Sequence, residues 1–109
     1  LNWQLIRMPL ELVDYVVVPL PAAAADDVHQ LARDSGCFNC HAIEHDDIGP
    51  AWKRVAEKYR GDATAEKRLV NKVIRGGKGV WGYLPMPSFA SKLSESQVRV
   101  LVRYILTLQ

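Results

Sequence analysis

The chain has 109 residues, 14 lysines and arginines against 12 aspartates and glutamates, and a formal charge of +2. That length holds one domain with a modest core, and the small, scattered excess of positive charge provides no basic stripe of the kind that binds nucleic acid. The composition, 49% hydrophobic, is that of a globular domain, and no uncharged apolar run reaches the roughly 18 residues that a spanning helix needs.

Residues 1–21 are densely apolar, with Leu1, Trp3, Leu5, Ile6, Met8, Leu10 and Val16 among them, and are punctuated by Pro9, Pro19 and Pro21. Proline at 9 argues against one unbroken helix, because it removes a donor and clashes with the preceding turn. The first residue is Leu1 rather than Met, so the chain reads as processed or excised. Residues 15–25 resemble the end of a signal peptide, but Asp14 interrupts the apolar run. The expected division is therefore an apolar arm and linker over 1–25 and a folded domain over 26–109. An arm this apolar has to cover itself on the domain, on a second copy with exchanged arms, or on another subunit.

Residues 22–25 read as a linker or the lead-in to a helix. Asp26 or Asp27 is placed to cap that helix, Val28, Leu31 and Ala32 form its apolar stripe, and Gly36 closes it. Cys37-Phe38-Asn39-Cys40-His41 follows, the C-x-x-C-H spacing of covalent haem c attachment. Two thiols three residues apart can reach both vinyl groups along one side of a porphyrin, and the next residue offers an imidazole to the iron. A disulfide redox pair would want a βαβ context, which is missing. A structural zinc site would want four ligands, and only one cysteine pair exists, without His29 or His45 at finger spacing. An ordinary disulfide leaves His41 unexplained.

Gly49-Pro50 marks a turn, with Pro50 suited to the first turn of a helix carrying Trp52, Val55, Ala56 and Tyr59. Gly61 breaks it, and Asp62 is expected to cap a longer helix with Leu69, Val70, Val73 and Ile74 on one face, ended by Gly76, Gly77 and Gly79. Residues 83–88 (YLPMPS) form a loop, since two prolines forbid a regular element. Ser94-Glu95-Ser96-Gln97 is a capping box opening a last helix with Val98, Leu101, Val102, Ile105 and Leu108 inward. The expected fold class is all-α.

A second iron ligand is sought opposite His41. Met8 and Met86 are the two thioethers. Met86 lies between Pro85 and Pro87, which stiffen the backbone on either side and lower the ordering cost of binding, and His/Met is the usual cytochrome c pairing. His45 is too close to His41 in the chain to reach the other face of the ring, and His29 reads as a helix-rim residue.

Five stretches share their order and spacing with one family: Gly36-Cys37-x-x-Cys40-His41-Ala42-Ile43, Ile48-Gly49-Pro50-Ala51, Val55-Ala56-x-Lys58-Tyr59, Gly79-Val80-Trp81-Gly82 and Pro85-Met86-Pro87. On these, residues 28–108 resemble the class I monohaem bacterial cytochromes c of the c-551/c-552 group. The resemblance implies the class I cytochrome c fold, four to five helices around one covalent haem c and its iron, with an exposed haem edge. It implies His41 as proximal ligand and Met86 as distal ligand, with the thiols of Cys37 and Cys40 on the haem. It further implies that the Pro50 carbonyl takes the proximal N–H, that the Trp81 indole meets a propionate, and that Lys72 stands near one. Two propionates would bring the holoprotein close to neutral. Two departures stand out: Phe89 holds a position where relatives often have an asparagine that bonds the methionine sulfur, and the arm has no counterpart in the family.

A six-coordinate iron leaves no open site, so the expected function is one-electron transfer between periplasmic redox proteins and not enzymatic catalysis. Haem attachment to this motif outside the cytoplasmic membrane, a family inference, implies export. Lys53, Arg54, Lys78 and Lys92 are candidates for a docking ring around the edge. The competing functions are the electron-accepting subunit of a dehydrogenase complex or an arm-exchanged homodimer, through residues 1–21, and an open-site enzyme or gas sensor in which Met86 is displaced.

Overall fold

A computed structural model describes residues 22–78, 81 and 84–109. The arm over 1–21, and with it Met8, lies outside the described residues. Among the described residues there are four α-helices, a 3₁₀ turn, and no strand beyond a single antiparallel bridge between Gly77 and Met86. The helices are α1 (Ala22–Ser35), α2 (Trp52–Lys58), α3 (Ala65–Arg75) and α4 (Glu95–Thr107), with the 3₁₀ turn at Cys37–Asn39.

Helix α1 begins at Ala22, a full turn ahead of the aspartates expected to cap it. Asp26 and Asp27 are exposed residues within the helix. Alanine has the highest intrinsic helix propensity, so 22–25 extend the helix as its lead-in. Gly36 ends α1 as expected, in the left-handed conformation at φ 86°. The start of α3 also differs from expectation. Asp62 sits ahead of the N-cap position Thr64, and its Oδ1 accepts from the Thr64 backbone N at 2.9 Å and the Thr64 hydroxyl at 2.7 Å. It therefore shapes the turn that leads into the helix. At α4 the capping box is complete: Ser94 Oγ accepts from Gln97 N at 3.2 Å, and Gln97 Oε1 accepts from Ser94 N at 2.9 Å.

Helix α4 is the hub. It packs on α1, α2 and α3, and Val98, Leu101, Val102, Tyr104 and Ile105 are buried along it. Val28 and Ala32 of α1, Trp52 and Val55 of α2, Val70 of α3, and Phe89 and Leu93 complete one core. Of the face expected on α3, only Val70 is buried, while Leu69, Val73 and Ile74 are partly covered and join the core from its rim. Cys37, Phe38, Ile43, Trp81 and Met86 flank the core in the same half-buried state. Phe89 is an ordinary core residue here, with its backbone N donating to Val73 O at 3.1 Å.

Candidate cofactor site

The 3₁₀ turn places Cys37 and Cys40 one turn apart, with His41 N and Cys40 N both donating to Cys37 O, at 3.0 and 3.3 Å. Both thiols are free and neither is fully buried. Burial pushes the Cys37 thiol above its ordinary value, against the opposing pull of a backbone hydrogen bond and the nearby Lys92 ammonium.

The segment after His41 folds back on it. Gly49 N donates to Cys40 O at 2.7 Å, Trp52 N to Ala42 O at 2.9 Å and Lys53 N to Ile43 O at 3.1 Å. This turn brings the Pro50 carbonyl 2.8 Å from His41 Nδ1. A carbonyl only accepts, so Nδ1 carries a proton, and in the neutral imidazole the lone pair is then on Nε2. The imidazole lies flat on Gly49, where an added Cβ would fall 2.5 Å from Cε1. Asp46 holds the turn from outside. Its Oδ1 accepts from Ala51 N at 2.8 Å and its Oδ2 pairs with Arg54. These bonds keep its carboxyl below the ordinary carboxylate range, with the Ala51 N–H the largest cause.

Met86 is fixed by backbone. Met86 N donates to Gly77 O at 2.8 Å and Gly77 N to Met86 O at 2.9 Å. Ser88 Oγ donates to Ile74 O at 2.6 Å, so the loop is stitched to the last turn of α3. Lys72 is half-buried in that turn, its Nζ 3.3 Å from where a Cβ on Gly77 would stand. Trp81 is half-buried, with Arg54 Cζ 5.2 Å and Lys58 Nζ 5.6 Å from its ring centroid.

The structure thus gathers Cys37, Cys40, His41 and Pro50 in one local unit and Met86 and Lys72 in another, at the end of α3. An open hollow of about 430 Å3 borders the first unit, lined by His29, Phe38, His41, Ile43 and His45 among others, but not by Met86. His29 hydrogen-bonds to the Tyr104 hydroxyl, tying α1 to α4. His45 is exposed. Of the cations expected around the edge, Lys53 pairs with Glu44 at 2.7 Å and Arg54 with Asp46. Lys78 is exposed, and Lys92 lies 5.4 Å from the Phe89 ring. Sequence reasoning passed over Asp46 and read Gly49 as a turn residue without its packing on His41. The signals were a carboxylate ahead of a Gly-Pro turn and a glycine where an imidazole must lie flat.

The donor set fits a haem c: two free thiols one turn apart, an imidazole whose Nδ1–H is engaged by a carbonyl, and half-buried apolar side chains, Phe38 and Ile43 beside the hollow and Trp81 and Met86 elsewhere on the rim of the core. Residues 25–109 match the Cytochrome c family, and the chain belongs to it. Its class is that of the class I monohaem c-type cytochromes, which carry one covalently attached haem c with its iron and serve electron transport.

Cytochrome c-551 of Allochromatium vinosum is 51% identical over 88 residues, covering 81% of this chain and 90% of that protein. Cytochrome c-551 of Pseudomonas aeruginosa is 40% identical, covering 78% of this chain and 80% of its own length. Among solved structures, wild-type cytochrome c552 of Nitrosomonas europaea aligns with a TM-score of 0.71 at 37% identity, covering 74% of this chain and 99% of that one. Among the described residues no helix is long and apolar enough to cross a membrane.

Proposed function

We propose that this chain is a one-electron carrier of the periplasm, with its porphyrin tethered through Cys37 and Cys40 and its iron held between His41 Nε2 and the Met86 sulfur. The observation that carries this reading is the His41–Pro50 hydrogen bond of 2.8 Å, which engages Nδ1 and leaves Nε2 as the ring's other nitrogen for a metal, directly after two free thiols. The bound haem supplies the Fe(III)/Fe(II) couple.

The chain's own part is to hold ligands and exclude water. Pro50 fixes the His41 ring and makes its lone pair more basic. The paired hydrogen bonds to Gly77 hold Met86 in place, so ligation costs little further ordering. Trp81 and Lys72 serve the propionates. Held by His41 on one side and Met86 on the other, the iron would have no position left for a substrate, which favours a carrier over an enzyme. Redox partners dock at the edge beside Cys37 and Phe38, where the Lys92 ammonium provides steering charge.

The test is the far-red charge-transfer band of the oxidised holoprotein together with carbon monoxide binding to the reduced one. The expected result is a band present in the native protein, absent in Met86→Ala, and rapid carbon monoxide binding only in the variant. A native protein that lacks the band and binds carbon monoxide at once would replace this reading with an open-site one.

A further inference from the structure

We propose that Asp46 is a positioning residue that tunes the iron through a peptide relay. The Ala51 N–H and the Pro50 C=O belong to the same amide group. On one side of that amide, the Asp46 carboxylate accepts the N–H at 2.8 Å. On the other side, the carbonyl accepts the His41 Nδ1 proton, also at 2.8 Å. Hydrogen bonds in series polarise one another. A negative acceptor on the N–H shifts amide electron density onto the carbonyl oxygen, which becomes a stronger acceptor. The Nδ1–H is drawn further toward it, and the ring becomes a better electron donor through Nε2. A stronger donor favours Fe(III), so Asp46 lowers the reduction potential.

Nothing in the ligand set itself requires a carboxylate here; the neighbouring acids make no bond to this amide. Glu44 is engaged with Lys53 at 2.7 Å, and the Asp47 contribution to the turn is its backbone N donating to Gly49 O at 3.0 Å. Asp46 is exposed and paired with Arg54, so solvent and the guanidinium screen its direct field at the iron. The relay works through bonds and is far less sensitive to that screening. Arg54 also stands over the Trp81 ring, which makes it unsuitable as the test position.

The inference rests on His41 being the proximal ligand. The experiment therefore reads two quantities on the reduced and oxidised holoprotein: the His41 ring resonances by NMR, and the reduction potential by titration. Asp46→Asn keeps an acceptor oxygen on Ala51 N and removes the charge, while Asp47→Asn and Glu44→Gln remove a nearby charge and leave the relay intact. In Asp46→Asn the Fe(III)/Fe(II) ratio at fixed ambient potential is expected to fall about threefold, a rise of about 28 mV from the one-electron factor of 59 mV per tenfold. The His41 Nδ1–H resonance is expected to move upfield in the same variant and to stay in place in the two controls. If Asp46→Asn matches the controls in both readings, the relay is overturned while the ligand assignment stands. If the His41 ring of the native protein shows no signature of iron ligation, the ligand assignment fails, and the relay with it.

Discussion

Gly49 and Gly76 each make room for one half of the site. A Cβ on Gly49 would press into the His41 imidazole, at 2.5 Å from Cε1 and 2.9 Å from Nε2. Gly49→Ala is expected to tilt the ring, strain the Pro50 hydrogen bond and destabilise the fold by about 1–3 kcal/mol, read as a lower melting temperature and a displaced His41 resonance. Gly76 combines φ 74° with ψ −167°, a region that other residues hardly enter. A Cβ there would also lie 2.5 Å from the Met86 carbonyl oxygen. Gly76→Ala is expected to break the Gly77–Met86 bridge, so that carbon monoxide binds the reduced protein quickly while the His41 resonances stay in place. The motif at 37–41 was legible because its chemistry is compressed into five residues. These two glycines were legible as a turn and a helix end but not as the room for His41 and Met86, because what each one contacts lies on a separate stretch of backbone.

At the scale of elements, α4 gathers the other three helices, and its start is the best-defined end in the fold. Ser94→Ala removes one of the two reciprocal bonds of the capping box and is expected to cost about 1 kcal/mol, measured by denaturant unfolding. Val98→Ala opens a void at a fully buried position and is expected to cost about 2 kcal/mol. This helix could be read from sequence because cap and apolar period agree. The other starts were misplaced for separable reasons. Ala22 to Ala25 carries no polar stop, so propensity alone lengthens α1 past the acidic pair at 26–27. Asp62 satisfies a local turn two residues before the expected role, since short polar side chains compete for nearby backbone donors. On α3 the apolar face was correct in kind but not in depth: three of its four residues lie along the rim that Cys37, Phe38, Trp81 and Met86 share. Tyr104 was missed because its hydroxyl disguises a core residue bonded to His29.

Across the whole molecule, two carboxylates link stability to acid. Asp62 lies below the ordinary carboxylate range because the Thr64 hydroxyl and backbone N bond to it, and Asp46 because of the Ala51 N–H and then Arg54. A carboxylate whose folded value is depressed contributes stability above its unfolded value of about 4 and loses it as pH falls through the folded one. The melting temperature is therefore expected to drop below about pH 4, and a protein with Asp46→Asn and Asp62→Asn to show a shallower drop. The two halves of the site also differ in chain distance. The bonds joining Cys40 to Gly49, His41 to Pro50 and Ala42 to Trp52 each close a short loop, which costs little chain entropy. The Met86 bridge waits on α3, and α3 in turn packs on α4, some twenty residues further along the chain. The thiols and the imidazole can thus take up their arrangement from neighbouring stretches of backbone alone, while the distal half has to await assembly of the helices.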